Sequence, residues 1–239
     1  MFEELRPHLV ELRKRLFISI ISIFVLFFVA FAFRHYLLDL IKAPLIYALP
    51  DFSKDLTFTQ LTEALFASIK LSLFAALIMA LPIIFTQIWL FIAPGLYKNE
   101  KKLILPFVFF ATFMFVLGAL FCYFFVVPMA FKFLISFGLE AELKPLINLG
   151  SYIGLFIKFM LGFGLSFELP VFAMFLAKIG LIDDDFLKKH FRIAVVLIFV
   201  FAAIMTPPDI LSQLLMAIPL CLLYLLSILL IKFNKPKNK

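Results

Sequence analysis

Residues able to carry chemistry are scarce in this chain of 239 residues, which has two cysteines, three histidines and 15 acidic side chains. Cys122 and Cys221 each lie inside an apolar run with no C-x-x-C partner. They read as small buried hydrophobes, not as a redox or metal pair. His8, His35 and His190 are far apart, and the chain has no H-E-x-x-H, G-x-S-x-G or P-loop. Neither a metal site nor an enzyme is therefore expected, and no cofactor is implied.

What the chain does have is apolar bulk. Hydrophobic residues make up 65% of it, 35 of them phenylalanine, and its mean hydropathy is +1.14. Soluble domains hold roughly 45–50% apolar residues, so this is a membrane protein. Several runs reach about 20 residues, the length that crosses about 30 Å of hydrocarbon as an α-helix. The fold class read from this is all-α and integral to the membrane. Six spans are expected, at about 16–36, 64–92, 104–128, 152–177, 191–206 and 211–231, with the first uncleaved. From Arg192 to Met205 the fifth covers only about 21 Å of helix, and spans five and six read as a short, tight hairpin across Thr206-Pro207-Pro208-Asp209. The loops after spans one and three are long enough to fold into an external cap.

Basic residues outnumber acidic ones, 22 to 15, for a net charge of +7. They cluster in the N-terminal segment, the 2–3 loop, the 4–5 loop and the tail. The positive-inside rule then places both termini in the cytoplasm, so the basic excess signals orientation and not nucleic-acid binding. Lys70 and Lys158 fall near the outer ends of their helices, where a long side chain reaches the interface.

Three polar features stand out against this background. Glu168 is the only acidic residue between Tyr152 and Ala177 and lies about 15 Å of helix from Lys178, near the midplane, where a carboxylate costs about 2.5–3.5 kcal/mol. Thr112 and Gln87 fall at a similar depth and are candidate neighbours. The side chain either satisfies, when protonated, the Ser166 carbonyl that Pro170 deprives of a donor, or it serves binding or transport. In the N-terminal stretch PHLVELRKRL, Leu5, Leu9, Leu12 and Leu16 have the spacing of an amphipathic surface helix, and Glu11 precedes Arg15 at i,i+4. Glu11 and Glu100 are either such internal partners or carboxylates available to a guanidinium ligand. Third, Gly150 and Gly154 form a G-x-x-x-G that would suit close helix packing.

PHLVELRKRL, FIAPGLYKNEKK, FGLSFELP and TPPDILSQLLMAIPL, in this order along the chain, resemble the TatC family of the twin-arginine protein translocase. The resemblance implies six helices in a cupped bundle in the bacterial cytoplasmic membrane, with both termini inside. It further implies export of folded proteins bearing twin-arginine signal peptides, driven by the proton-motive force. Carried over, it makes Glu11 and Glu100, supported by Arg13, Arg15 and Lys101, the signal-peptide site. Glu168, Thr206, Asp209 and Gln213 become contacts for the single-span partners TatA and TatB in a multimeric receptor complex set in lipid. Pro44, Pro82, Gln87, Phe91 and Pro170 fall to structural or intramembrane polar roles. A proton-coupled secondary transporter using Glu168 is the competing reading; its expected inverted repeat is missing from the proline pattern.

Overall fold

The computed structural model describes residues 2–48, 56–57, 60–92, 104–140 and 147–234. In chain order its helices are α1 (Phe2–Ala32), α2 (Arg34–Ala48), α3 (Glu63–Ile92), α4 (Ile104–Phe121), α5 (Val127–Glu140), α6 (Leu149–Lys178), α7 (Asp184–Lys189), α8 (Phe191–Met205) and α9 (Ile210–Asn234). A π-helical turn, Cys122–Val126, joins α4 to α5. Five stretches, 8–32, 63–92, 105–137, 149–178 and 210–234, are long and apolar enough to cross a membrane, and Phe191–Met205 is a shorter apolar helix. The all-α membrane fold expected from the sequence is the one found.

Several boundaries differ from expectation, each for a local reason. The amphipathic stretch is not a separate surface helix but the first part of α1, because no Gly or Pro interrupts the chain between His8 and Ala32. Span three runs on to Glu140, past its expected end at 128. Pro128 would break an ordinary helix; the π turn just before it absorbs the missing donor and the ring's bulk. Span six is 25 residues long, so only span five is short.

The chain divides into two compact units. One comprises residues 1–38 and 65–113. In it Trp89 of α3 stacks on Phe107 of α4 at 5.3 Å between ring centroids, and Leu71, Ala76 and Ala80 are buried. Much of α1 stays exposed, including Phe17, Phe24 and Phe28, as befits a helix whose solvent is lipid.

The other comprises residues 39–64 and 114–239, where α9 packs against both α6 and α8. Lipid tails are as apolar as leucine, so these helices gain little from hydrophobic burial and rely on close approach. A β-carbon on Gly162 of α6 would collide with the Met216 side chain of α9, and one on Gly164 with the ring of Phe115. At Gly154, by contrast, nothing lies within 4 Å, so the G-x-x-x-G singled out in the sequence is not the close contact.

In this unit the described parts of the two long loops meet. Thr57 and Asn148 form a parallel bridge, with Thr57 N donating to Ile147 O at 3.0 Å and Leu149 N to Thr57 O at 2.9 Å. Glu63 Oε1 accepts from Gly150 N at 2.8 Å, tying the start of α3 to the start of α6. Pro44 is buried inside α2, and its missing N–H frees the Leu40 carbonyl, to which Tyr123 donates at 2.6 Å. The Tyr152 hydroxyl donates to the next carbonyl, that of Ile41.

Candidate functional site

The N-terminal polar cluster is built on α1 and α3. Helical spacing puts Glu11 and Arg15 on one face, where Arg15 Nη2 donates to Glu11 Oε1 at 3.2 Å. The other terminal nitrogen, Nη1, donates to Gln87 Oε1 of α3, also at 3.2 Å. Gln87 is only 9% exposed, so this amide is a largely dehydrated acceptor. Arg15 Nε is buried with no hydrogen-bond partner among the described residues. Arg13 is exposed to solvent. The sequence-predicted partners Glu100 and Lys101 lie outside the described residues.

Glu168 sits in the interior of α6, partly buried, and its Oε1 is buried without a hydrogen-bond partner among the described residues. Gln87 accepts from Arg15, and Thr112 Oγ1 turns back onto Val108 O at 2.9 Å, the usual fate of a threonine on a helix. Pro170, two residues on, is buried in the same helix, and the Ser166 hydroxyl donates to Gly162 O at 2.6 Å. Lys158 is exposed, as a residue reaching toward an interface should be.

The turn between α8 and α9 carries Thr206, Asp209 and Gln213, each bonded to a different partner. Thr206 is 6% exposed, and its Oγ1 donates to Ala202 O at 2.9 Å. Asp209 precedes α9 and accepts from Ser212 N through Oδ1 at 2.7 Å, the bond of a helix N-cap. Gln213 Nε2 reaches across to Phe199 O at 3.1 Å and so ties α9 to α8. Two more polar atoms at this turn, Asp209 Oδ2 and Ser212 Oγ, are buried without partners.

Of the remaining positions, Pro82 is exposed within α3, where Thr86 Oγ1 donates to its carbonyl at 2.6 Å, and Phe91 is half-buried at the end of that helix. Sequence reasoning missed Ser212 and Glu63. Ser212 sits three residues after Asp209, the ordinary reach of an N-cap, which was the available signal. Glu63 offered none, because its partner Gly150 is 87 residues away.

These features define a polytopic α-helical membrane protein with a guanidinium–carboxylate contact near one end of its first span, an intramembrane carboxylate and a polar hairpin. The family model described as Sec-independent protein translocase protein (TatC) matches residues 7–219. A TatC of that description from Campylobacter jejuni is 61% identical over all of this chain and 98% of its own length. One from Helicobacter pylori strain J99 is 48% identical over all of this chain and 93% of its own. A crystal structure of the twin arginine translocase receptor TatC, 40% identical, superposes with a TM-score of 0.86 over 96% of this chain and 100% of that one. The chain belongs to the TatC family, and it is a multi-pass membrane component of the Sec-independent protein translocase.

Proposed function

We propose that this protein is the signal-peptide receptor and translocation core of a twin-arginine export machine. The observation that carries the reading is the Glu11–Arg15 contact, in which the Glu11 carboxylate already accepts a guanidinium, the group that defines the ligand. Paired arginines are strongly hydrated and costly to bury in lipid, so carboxylates at the cytoplasmic face recognise them at less cost than any group inside the bilayer. Glu11 and Glu100 bind the two arginines, with Arg13 and Lys101 shaping the surrounding field. Glu168 and the Thr206–Asp209–Gln213 turn receive the transmembrane helices of TatA and TatB, whose polar groups complete the unpartnered Glu168 Oε1. The protein lies in the bacterial cytoplasmic membrane with both termini inside, as part of a multimeric complex, and the proton-motive force drives transport.

The test is co-purification of a twin-arginine signal peptide with charge-removing variants. Glu11→Gln and Glu100→Gln proteins that insert normally should lose the peptide, and retention at wild-type levels would overturn the assignment.

A further inference from the structure

The same cluster holds a competitor for its own ligand. We propose that Arg15 is a built-in stand-in for the signal peptide's arginine: it occupies Glu11 in the unliganded protein and is retained by Gln87 when a peptide guanidinium takes the carboxylate. Gln87 thereby sets the affinity for the peptide. The inference rests on the reading of Glu11 as a guanidinium receptor.

The geometry is that of a contact made to be exchanged. Arg15 touches a single oxygen of Glu11, at 3.2 Å, the long end of the N–H···O range. A guanidinium free to orient forms two parallel bonds to a carboxylate, shorter and stronger than one. A peptide arginine therefore offers Glu11 a better fork than Arg15 does from a fixed position one helical turn away. Displacement does not strand Arg15, because Nη1 already bonds Gln87 Oε1. Nor is Arg15 fully satisfied where it is: Nε is buried without an acceptor, so leaving Glu11 breaks no saturated network.

Gln87 is suited to this role because it is neutral and buried. As an amide it accepts from Arg15 without outcompeting the Glu11 carboxylate, so the resting pair persists and the holder is ready. A carboxylate at position 87 would draw Arg15 away from Glu11 permanently. A leucine there would leave a displaced Arg15 with no acceptor.

The experiment measures fluorescence anisotropy of a labelled synthetic peptide carrying adjacent arginines, with a lysine-pair peptide as control, against the full-length protein in detergent. Arg15→Gln and Gln87→Glu should each tighten binding of the arginine-pair peptide, and Gln87→Leu should weaken it, each by about 3- to 10-fold, the net scale of one intramolecular hydrogen bond. In an Arg15→Gln background both Gln87 substitutions should lose most of their effect. Should Arg15→Gln fail to give monodisperse protein, Arg15→Met replaces it with the same expected direction, since it too removes the charge that occupies Glu11. Weakening by the Arg15 substitution to the extent seen for Glu11→Gln would overturn the stand-in, and so would Gln87 effects that persist without Arg15. Binding that ignores Glu11→Gln and does not distinguish the two peptides would overturn the receptor reading beneath it.

Discussion

Gly118 faces the backbone of Phe163 so closely that a β-carbon on it would lie 2.7 Å from the Phe163 carbonyl oxygen. The contact joins α4 to α6, and no side-chain rotation can relieve it, because the obstacle is main chain. Gly162 is crowded in a different way, by the flexible end of Met216.

The two glycines should accordingly respond differently to the same substitution. Gly118→Ala forces α4 and α6 apart and should cost about 1–3 kcal/mol, the usual range for overpacking. Gly162→Ala is met by a rotation of Met216 and should cost less. Thermal unfolding in one detergent compares them, and equal losses would contradict the main-chain obstacle.

Tyr123 and Pro44 should be coupled. Tyr123→Phe leaves the Leu40 carbonyl without a donor and should cost about 1–3 kcal/mol. Pro44→Ala restores a backbone N–H to the same carbonyl, so Tyr123→Phe should cost little in that background. A double-mutant cycle on unfolding free energy reads the coupling, and strict additivity would sink it.

Glu168 should trade stability for function. Its buried, unpartnered oxygen carries a desolvation penalty, so Glu168→Leu should raise stability by about 1–3 kcal/mol while abolishing export of a folded reporter from cells. A destabilised Glu168→Leu protein would mean that the carboxylate is satisfied within the chain. Retained export would remove it from the partner-helix site.

Asp209 should divide into a cap and a contact. Asp209→Ala should lose about 1 kcal/mol with the Ser212 N bond, whereas Asp209→Asn keeps an acceptor and should stay near wild type in stability. If Oδ2 faces a partner helix, both variants should reduce photocrosslinking from Gln213 to a single-span subunit. Loss confined to Asp209→Ala would leave the cap as its only role.

Legibility from sequence followed the range of the interaction. Glu11 and Arg15 are one turn apart, and helical periodicity alone pairs them; the bond is there. Thr206, Asp209 and Gln213 were grouped by the resemblance; they share one turn, and each bonds a different partner, Ala202, Ser212 and Phe199. The bond from Arg15 to Gln87 spans 72 residues, and no local pattern announces it. Of the spaced pair Gly150 and Gly154, only Gly150 meets a close neighbour, the Glu63 side chain, since spacing does not say which helix arrives.

By itself the sequence determined that this is a bundle of membrane helices, that its fifth span is short, and that a carboxylate lies in the interior of the fourth. Those properties depend on the length, hydropathy and proline content of local segments, which lipid enforces by forbidding unpaired backbone. Tertiary structure alone decided which acceptor holds Arg15, which donor answers the carbonyl freed by Pro44, and which glycines let helices touch. Each of these is a contact between residues tens of positions apart, and in a bilayer, where apolar faces are nearly interchangeable, only packing and polar geometry select among partners.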